Sequence, residues 1–216
     1  MASSSIDARL LAAQVAIDNA LSDAEIKGYL ANFGYDESRL NEGKALYETA
    51  LQLHQKQKAE YGDQVSATQE LNDKWQAAGK EYMKLVKLAR IALKSHPGSL
   101  LKLNLNGERK KTLSGWLSQA KQFYINALGD SEVLTALAEY GITPEKLQAG
   151  QQLVLDTETA NAAQEKEKGD AQQATLERDA AMDLLDDWKS DFTAVARIAL
   201  EDKPQLLEKL GILERS

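Results

Sequence analysis

The sequence predicts an all-α protein built from two tandem copies of one helical unit, and three observations support that prediction. The 216-residue chain contains only three prolines and thirteen glycines, so few residues interrupt a helix. Ala, Leu, Gln, Glu and Lys are abundant, and these residues lose little free energy on entering a helix. Finally, the sequence matches itself without a gap when it is shifted by 107 positions.

The self-match is clearest in the pentapeptide Ala89–Leu93, which is identical to Ala196–Leu200. The other matched residues include one proline, three glycines and several polar residues: Pro97 with Pro204, Gly34 with Gly141, Gly43 with Gly150, Gly62 with Gly169, Asn19 with Asn126, Asp23 with Asp130, and Glu25 with Glu132. A period of about 107 residues is longer than that of common solenoid repeats, which favours domain duplication. We therefore expect residues 1–107 and 108–216 each to form a helical-hairpin or bundle unit, related by a pseudo-twofold axis and possibly packed as one domain.

The beginning of each copy is predicted from capping signals. A first helix is expected over residues 7–21 and again over 110–128. Ser22-Asp-Ala-Glu25 has the Ser-x-x-Glu form of a capping box, which predicts that a short second helix begins there. This helix should end at Gly34 and Gly141, because glycine adopts a left-handed cap at little cost.

A third helix is predicted to begin after Asp36 in one copy and after Thr143-Pro144 in the other. Gly62-Asp63 and Gly169-Asp170 then have the form of a C-cap glycine followed by an N-cap aspartate. We expect the chain to reverse there into a fourth helix, with the polar segment 156–170 at the tip of a hairpin. A continuous helix is the alternative, since a glycine inside a helix costs only about 1 kcal/mol.

Residues with chemical reactivity are few. The chain has no cysteine, which excludes disulfides and thiolate sites, and histidine occurs only at His54 and His96. Neither histidine has the spacing of a helical metal motif, and both are expected at the solvated surface or at a helix end. No glycine-rich phosphate loop or serine triad is present. The sequence therefore predicts no catalytic residue, no cofactor and no metal ligand.

Arg90 and Arg197 are charged residues kept inside an apolar pentapeptide in both copies. We expect each to be mostly buried, bonded to a carboxylate or to helix-end carbonyls of its own copy, because a buried charge needs a partner. An anion contact is the alternative. The natural carboxylate partners are the acids retained in both copies: Asp23, Asp130, Glu25 and Glu132.

Charge is distributed unequally between the copies. Residues 1–107 hold 13 basic and 13 acidic side chains, whereas residues 108–216 hold 13 basic and 20 acidic ones. Three lysines of the predicted fourth helix match acids in the other copy: Lys80 with Asp187, Lys84 with Asp191, and Lys94 with Glu201. One hypothesis is that the two fourth helices meet and cross-pair these charges, or select different partners. Divergence of solvated faces explains the same residues.

The function expected from these observations is that of a non-enzymatic helical interaction or scaffolding protein, acting through a protein partner or self-association. Nucleic acid is not an expected partner, because an acidic second half would repel phosphates. One alternative is an apolar small-molecule site inside a bundle, lined by Trp75, Tyr82, Trp188 and Phe192. Another is a membrane-associated helical assembly, although no segment predicts a membrane span. Without a visible signal peptide, a cytoplasmic location is expected.

Overall fold

The computed structural model describes residues 5–212, which form eight helices and no strand. The helices are α1 Ile6–Ser22, α2 Ala24–Ala31, α3 Glu37–Ala92, α4 Pro97–Lys102, α5 Leu113–Leu128, α6 Ser131–Ala138, α7 Pro144–Ala199 and α8 Pro204–Lys209. The all-α prediction is confirmed. No helix in this part of the chain is both long enough and apolar enough to cross a membrane.

The short helices α2 and α6 begin at an aspartate. Asp23 accepts hydrogen bonds from the amides of Glu25 and Ile26 at 3.0 and 3.2 Å, and therefore caps α2. The predicted capping box is wrong by one residue, since Ser22 still belongs to α1. A carboxylate at the N-cap also interacts favourably with the positive end of the helix dipole, which a serine hydroxyl does not.

The junctions that lead into the long helices agree with the capping signals. Gly34 and Gly141 adopt positive φ angles of 83° and 70°, as a left-handed C-cap requires. Asp36 then accepts a hydrogen bond from the Arg39 amide at 3.0 Å, and Thr143 accepts one from the Lys146 amide at 3.4 Å.

The helices α3 and α7 run without interruption through Gly62-Asp63 and Gly169-Asp170. Each has 56 residues, and at about 1.5 Å per residue each is roughly 84 Å long. The predicted hairpins and the projecting tip at 156–170 are therefore wrong. Neither glycine has a positive φ, so neither acts as a C-cap. Strong helix formers precede both glycines, in 57–60 and 162–168, and offset the cost of about 1 kcal/mol for one helical glycine.

Contacts divide the chain into two compact units whose boundaries fall inside the long helices. Unit 1 consists of Met1–Tyr61 and Asp170–Ser216, and unit 2 consists of Gly62–Gly169. Unit 1 thus combines α1, α2 and the first part of α3 with the last part of α7 and α8. Unit 2 combines the last part of α3 and α4 with α5, α6 and the first part of α7. These boundaries differ from the expected division at 107/108, and each half of the sequence contributes helices to both units.

Each unit has its own apolar core. In unit 1 the core lies between α1, α2, α8 and the adjoining parts of α3 and α7, and its largest buried side chains are Ile17, Ile26, Leu30, Tyr35, Leu40, Leu185 and Phe192. In unit 2 it lies between α5, α6 and the other parts of the long helices, and its fully buried side chains include Tyr82, Leu85, Leu93, Leu103, Phe123, Tyr124, Leu137 and Leu147. These cores hold the ends of the short helices in place, where the polar residues kept in both halves of the sequence are found.

Candidate functional site

In unit 1, three polar side chains hold the end of α8 against the junction of α1 and α2. Asn19 donates from Nδ2 to the Lys209 carbonyl oxygen at 2.6 Å, and Lys209 Nζ lies 2.9 Å from Asp23 Oδ2. Asp23 uses its other oxygen to cap α2. We call this arrangement the Asn–Lys–Asp clamp. It ties a helix from the end of the chain to helices from its beginning.

Unit 2 contains the same clamp, built from the residues 107 positions away. Asn126 donates from Nδ2 to the Lys102 carbonyl oxygen at 2.5 Å, and Lys102 Nζ lies 2.7 Å from Asp130 Oδ2. Asp130 caps α6 through the amides of Glu132 and Val133 at 3.1 and 3.2 Å. Here α4 is held against the junction of α5 and α6.

The electrostatics of the clamps favour a structural role for the two aspartates. The pKa of Asp23 is lowered mainly by its hydrogen bond with Lys209, and further by the Ile26 amide. The pKa of Asp130 is lowered in the same way by Lys102 and then by the Val133 amide. A carboxylate that is stabilised in its charged form and fully engaged in hydrogen bonds is poorly suited to general acid–base catalysis at neutral pH.

The acids of the clamps are among the predicted residues, but the predicted arginine partners are wrong. Asp23 and Asp130 pair with lysines instead of arginines, and Glu25 pairs with Lys203 at 3.3 Å. The asparagines and lysines of the clamps were missed as a set. The sequence contains one signal for them, because they are identical at matched positions. Packing of an apolar stripe does not explain why a polar residue is the same in both halves.

The two matched arginines differ from each other. Arg90 is half-buried and donates from Nε to the Leu105 carbonyl at 2.8 Å and from Nη2 to the Gly107 carbonyl at 3.2 Å. It therefore bonds to carbonyls of the segment that follows α4. Arg197 is exposed, so the prediction that both guanidinium groups are mostly buried is wrong. Ala89 and Leu93 face the core of unit 2, so the next residue, Arg90, lies at the edge of that buried face. Arg197 has the same position relative to Ala196 and Leu200.

The matched lysines and acids are all exposed. Lys80, Lys84 and Lys94 belong to unit 2, whereas Asp187, Asp191 and Glu201 belong to unit 1. Lys84 lies 3.6 Å from Glu81 of its own helix, and within residues 5–212 Lys80 and Lys94 form no ion pair. The predicted cross-pairing of the fourth helices is not found. These faces are solvated.

One histidine differs from its expected environment. His54 is 6% exposed, and its Nε2 lies 3.1 Å from Asp7 Oδ1. This hydrogen bond and a second one from Lys58 lower the pKa of Asp7. The sequence contained a signal for the burial of His54, because it continues the apolar stripe of Leu40, Gly43, Tyr47 and Ala50 at helical spacing. His96 is exposed, as expected.

The aromatic residues considered for a ligand site pack against one another. Tyr82 is fully buried and contacts the rings of Trp116, Phe123 and Tyr124 with centroids 5.6–6.2 Å apart. Trp188 stacks on Phe192 at 5.1 Å in unit 1. Aromatic pairs at these separations add packing energy to a core.

No protein-family model matches the chain, and neither do any of the curated proteins or solved structures compared with it.

Proposed function

We propose that this chain is a non-enzymatic interaction or scaffolding protein that arose by duplication and presents the same surface twice. The helix bounds support the duplication: α2 and α6, α3 and α7, and α4 and α8 all begin and end 107 positions apart. The repeated Asn–Lys–Asp clamp supports it as well, because it uses the same atoms in both units.

The observation on which the interaction function rests is that large apolar side chains are exposed at matched positions. Phe33 is 49% exposed and its counterpart Tyr140 is 42% exposed. Ile91 is 50% exposed and its counterpart Ile198 is 59% exposed. A single exposed apolar residue needs no explanation, but the same two positions in both units favour a contact surface. Phe33 and Ile198 belong to unit 1, and Tyr140 and Ile91 belong to unit 2.

This proposal fits the remaining side chains better than the alternatives do. The matched aspartates bind lysines and helix amides, and the buried aromatic rings contact one another. A protein partner or self-association would therefore use the exposed apolar positions. Nucleic acid is disfavoured as a partner by the acidic residues of 108–216. A cytoplasmic location stays a prediction.

The proposal is tested by the stoichiometry of binding. A photo-crosslinking amino acid at position 33 or 140 should capture the same protein, either a second copy of this chain or a different partner. Position 65 provides a control, since Val65 is 52% exposed but has a glutamine, Gln172, as its counterpart. Calorimetry with the purified partner should then give two binding sites per chain.

Variants of one unit at a time make the test specific. Phe33→Ser with Ile198→Ser should reduce the number of sites from two to one, and Tyr140→Ser with Ile91→Ser should do the same. All four substitutions together should abolish binding. Capture of different proteins at the two positions, or a single site unaffected by these changes, would show that the matched residues are not a shared surface.

A further inference from the structure

Unit 2 has a surface hollow of about 410 Å³ between the end of α3 and the helix α6. Its lining residues are Ala92, His96, Glu132, Thr135, Ala136 and Glu139. The alanines provide an apolar floor that packs on the core of the unit. The two glutamates at its edge are exposed and, within residues 5–212, form no ion pair.

In unit 1 the matched positions are filled by the chain itself. Tyr29 occupies the position that corresponds to Ala136, and its ring packs on the core of unit 1. Lys203 corresponds to His96, and its Nζ lies 6.0 Å from the centre of the Tyr29 ring. The same ammonium group lies 3.3 Å from Glu25 Oε1, and Glu25 corresponds to Glu132. A phenol ring, an ammonium group and a carboxylate therefore form one cluster.

Unit 2 has the carboxylate of this cluster but neither the ring nor the ammonium group. Glu132 stands where Glu25 does, while alanine and histidine stand where unit 1 has the tyrosine and the lysine. Unit 2 also has a second carboxylate, because Glu139 stands at the position of Asn32. The hollow is thus open where unit 1 is filled, and its negative charge is not balanced by an ammonium group.

We propose that this hollow binds an aromatic ring together with a primary ammonium group, the two groups that Tyr29 and Lys203 supply in unit 1. The ring would lie on Ala92 and Ala136, and the ammonium group would pair with Glu132 and Glu139. The volume lies within the range of small-molecule sites. This site is present in unit 2 alone and does not depend on the matched exposed residues.

A ring with an ammonium group could be a free aromatic amine or a tyrosine and a lysine side chain of a partner protein. Tyramine is the probe for the first source, and N-acetyl-Tyr-Lys-amide is the probe for the second. Two analogues of tyramine isolate the role of charge: tyrosol is neutral, and 4-hydroxyphenylacetate is an anion. Both retain the phenol ring.

Binding can be followed by NMR on the intact chain with ¹³C-labelled alanine methyl groups. Tyramine or the dipeptide should shift the methyl signals of Ala92 and Ala136, with saturation at higher concentration. The methyl of Ala199, which matches Ala92 in unit 1, should not shift. The probe with the lower dissociation constant identifies the source of the group. The neutral analogue should bind more weakly, and the anion should not bind.

Substitutions that exchange the matched residues of the two units test the proposal directly. Ala136→Tyr with His96→Lys should fill the hollow and abolish the shift of Ala92. In the reverse direction, Tyr29→Ala with Lys203→His and Asn32→Glu should open a second hollow with two unpaired carboxylates and make Ala199 respond to tyramine. Glu132→Gln or Glu139→Gln should weaken tyramine binding about two- to fivefold each, the range of an exposed ion pair, and leave tyrosol binding unchanged.

The proposal is overturned if neither probe shifts Ala92 and Ala136, or if the three phenols bind equally well. It is also overturned if the filled variant, with unchanged circular dichroism, still binds tyramine. Should that variant fail to fold, the glutamate variants and the triple variant of Tyr29, Lys203 and Asn32 decide the question.

Discussion

Gly43 and Gly150 show at the scale of single residues why some identities are shared by both halves of the sequence. A Cβ atom at Gly43 would overlap the Trp188 ring, and one at Gly150 would lie 2.5 Å from the hydroxyl oxygen of Tyr124. Both aromatic side chains are held so closely that Trp188 Nε1 and the Tyr124 hydroxyl are buried without a hydrogen-bond partner. Burial also raises the pKa of Tyr124. Each glycine is therefore required by a ring that packs against its helix.

We predict that Gly43→Ala destabilises the protein by about 1–3 kcal/mol, because the added methyl group forces Trp188 to move. Gly79→Ala in the same helix is the matched control. Apart from the neighbouring residues and backbone of its own helix, nothing lies within 4 Å of a Cβ at that position, and alanine favours a helix. The control should leave stability unchanged or raise it by up to about 1 kcal/mol. Urea unfolding measures both, and an equal effect of the two substitutions would contradict the packing.

The clamp aspartates predict a dependence of stability on pH. The pKa values of Asp23 and Asp130 are lowered in the folded state from the ordinary 3.8, first by lysine and then by helix amides. A lowered pKa means that their contribution is present above pH 3.8 and is lost as the pH falls through the folded-state values. The double variant Asp23→Asn, Asp130→Asn should therefore lose less stability than the parent between pH 5 and about pH 2. Identical pH profiles in urea unfolding would argue against the pairing.

At the scale of helices, the sequence predicted most boundaries because capping is a local property. The glycine caps at Gly34 and Gly141 and the start of α7 at Pro144 depend on a few neighbouring residues. Gly62-Asp63 was ambiguous, because a glycine and an aspartate also fit inside a helix at a cost of about 1 kcal/mol. That cost is smaller than the packing energy of a long helix. The packing energy depends on distant residues and cannot be read from a local sequence pattern. The prediction of a solvated His54 is wrong, because its position on an apolar stripe outweighs the usual preference of histidine for the surface.

We predict that Gly62→Ala and Gly169→Ala each stabilise the protein by up to about 1 kcal/mol, because alanine is the better helix former. In a hairpin with a left-handed glycine the same change would be destabilising. Gly34→Ala provides that comparison, since its φ of 83° is unfavourable for alanine. Thermal unfolding followed by circular dichroism should show a higher melting temperature for the first two variants and a lower one for the third. A lower melting temperature for Gly62→Ala would indicate a break in α3.

At the scale of the whole molecule, the sequence shows that its two halves match but does not show how the chain divides into compact units. A match over 107 positions is compatible with two arrangements. Each half of the sequence could fold by itself, or each compact unit could combine helices from both halves. The contacts that decide between these arrangements are long-range, such as Asn19 with Lys209 and Asn126 with Lys102. The same argument explains why Asp23 and Asp130 were named but given the wrong partners. Identity at matched positions singles out the aspartates in the sequence. Their lysine partners follow only from the three-dimensional contacts.

This partition predicts that the chain survives a cut between its two sequence halves. A protease site inserted after Gly107 would separate residues 1–107 from 108–216. Both compact units combine helices from the two fragments, so neither fragment alone retains a complete core. The nicked protein should elute from a sizing column as one species with the mass of the intact chain, 23.8 kDa, and keep its circular dichroism.

The control is the same insertion without cleavage, which shows whether the added residues disturb the segment after α4, whose carbonyls bind Arg90. Asn19→Ala with Asn126→Ala should weaken the nicked complex more than the intact chain, because each clamp then joins two separate fragments. Light scattering gives the mass of each species and its dependence on concentration. If the two fragments elute separately and each retains a cooperative unfolding transition, each half of the sequence forms a domain by itself, and the exchange of helices described here is wrong.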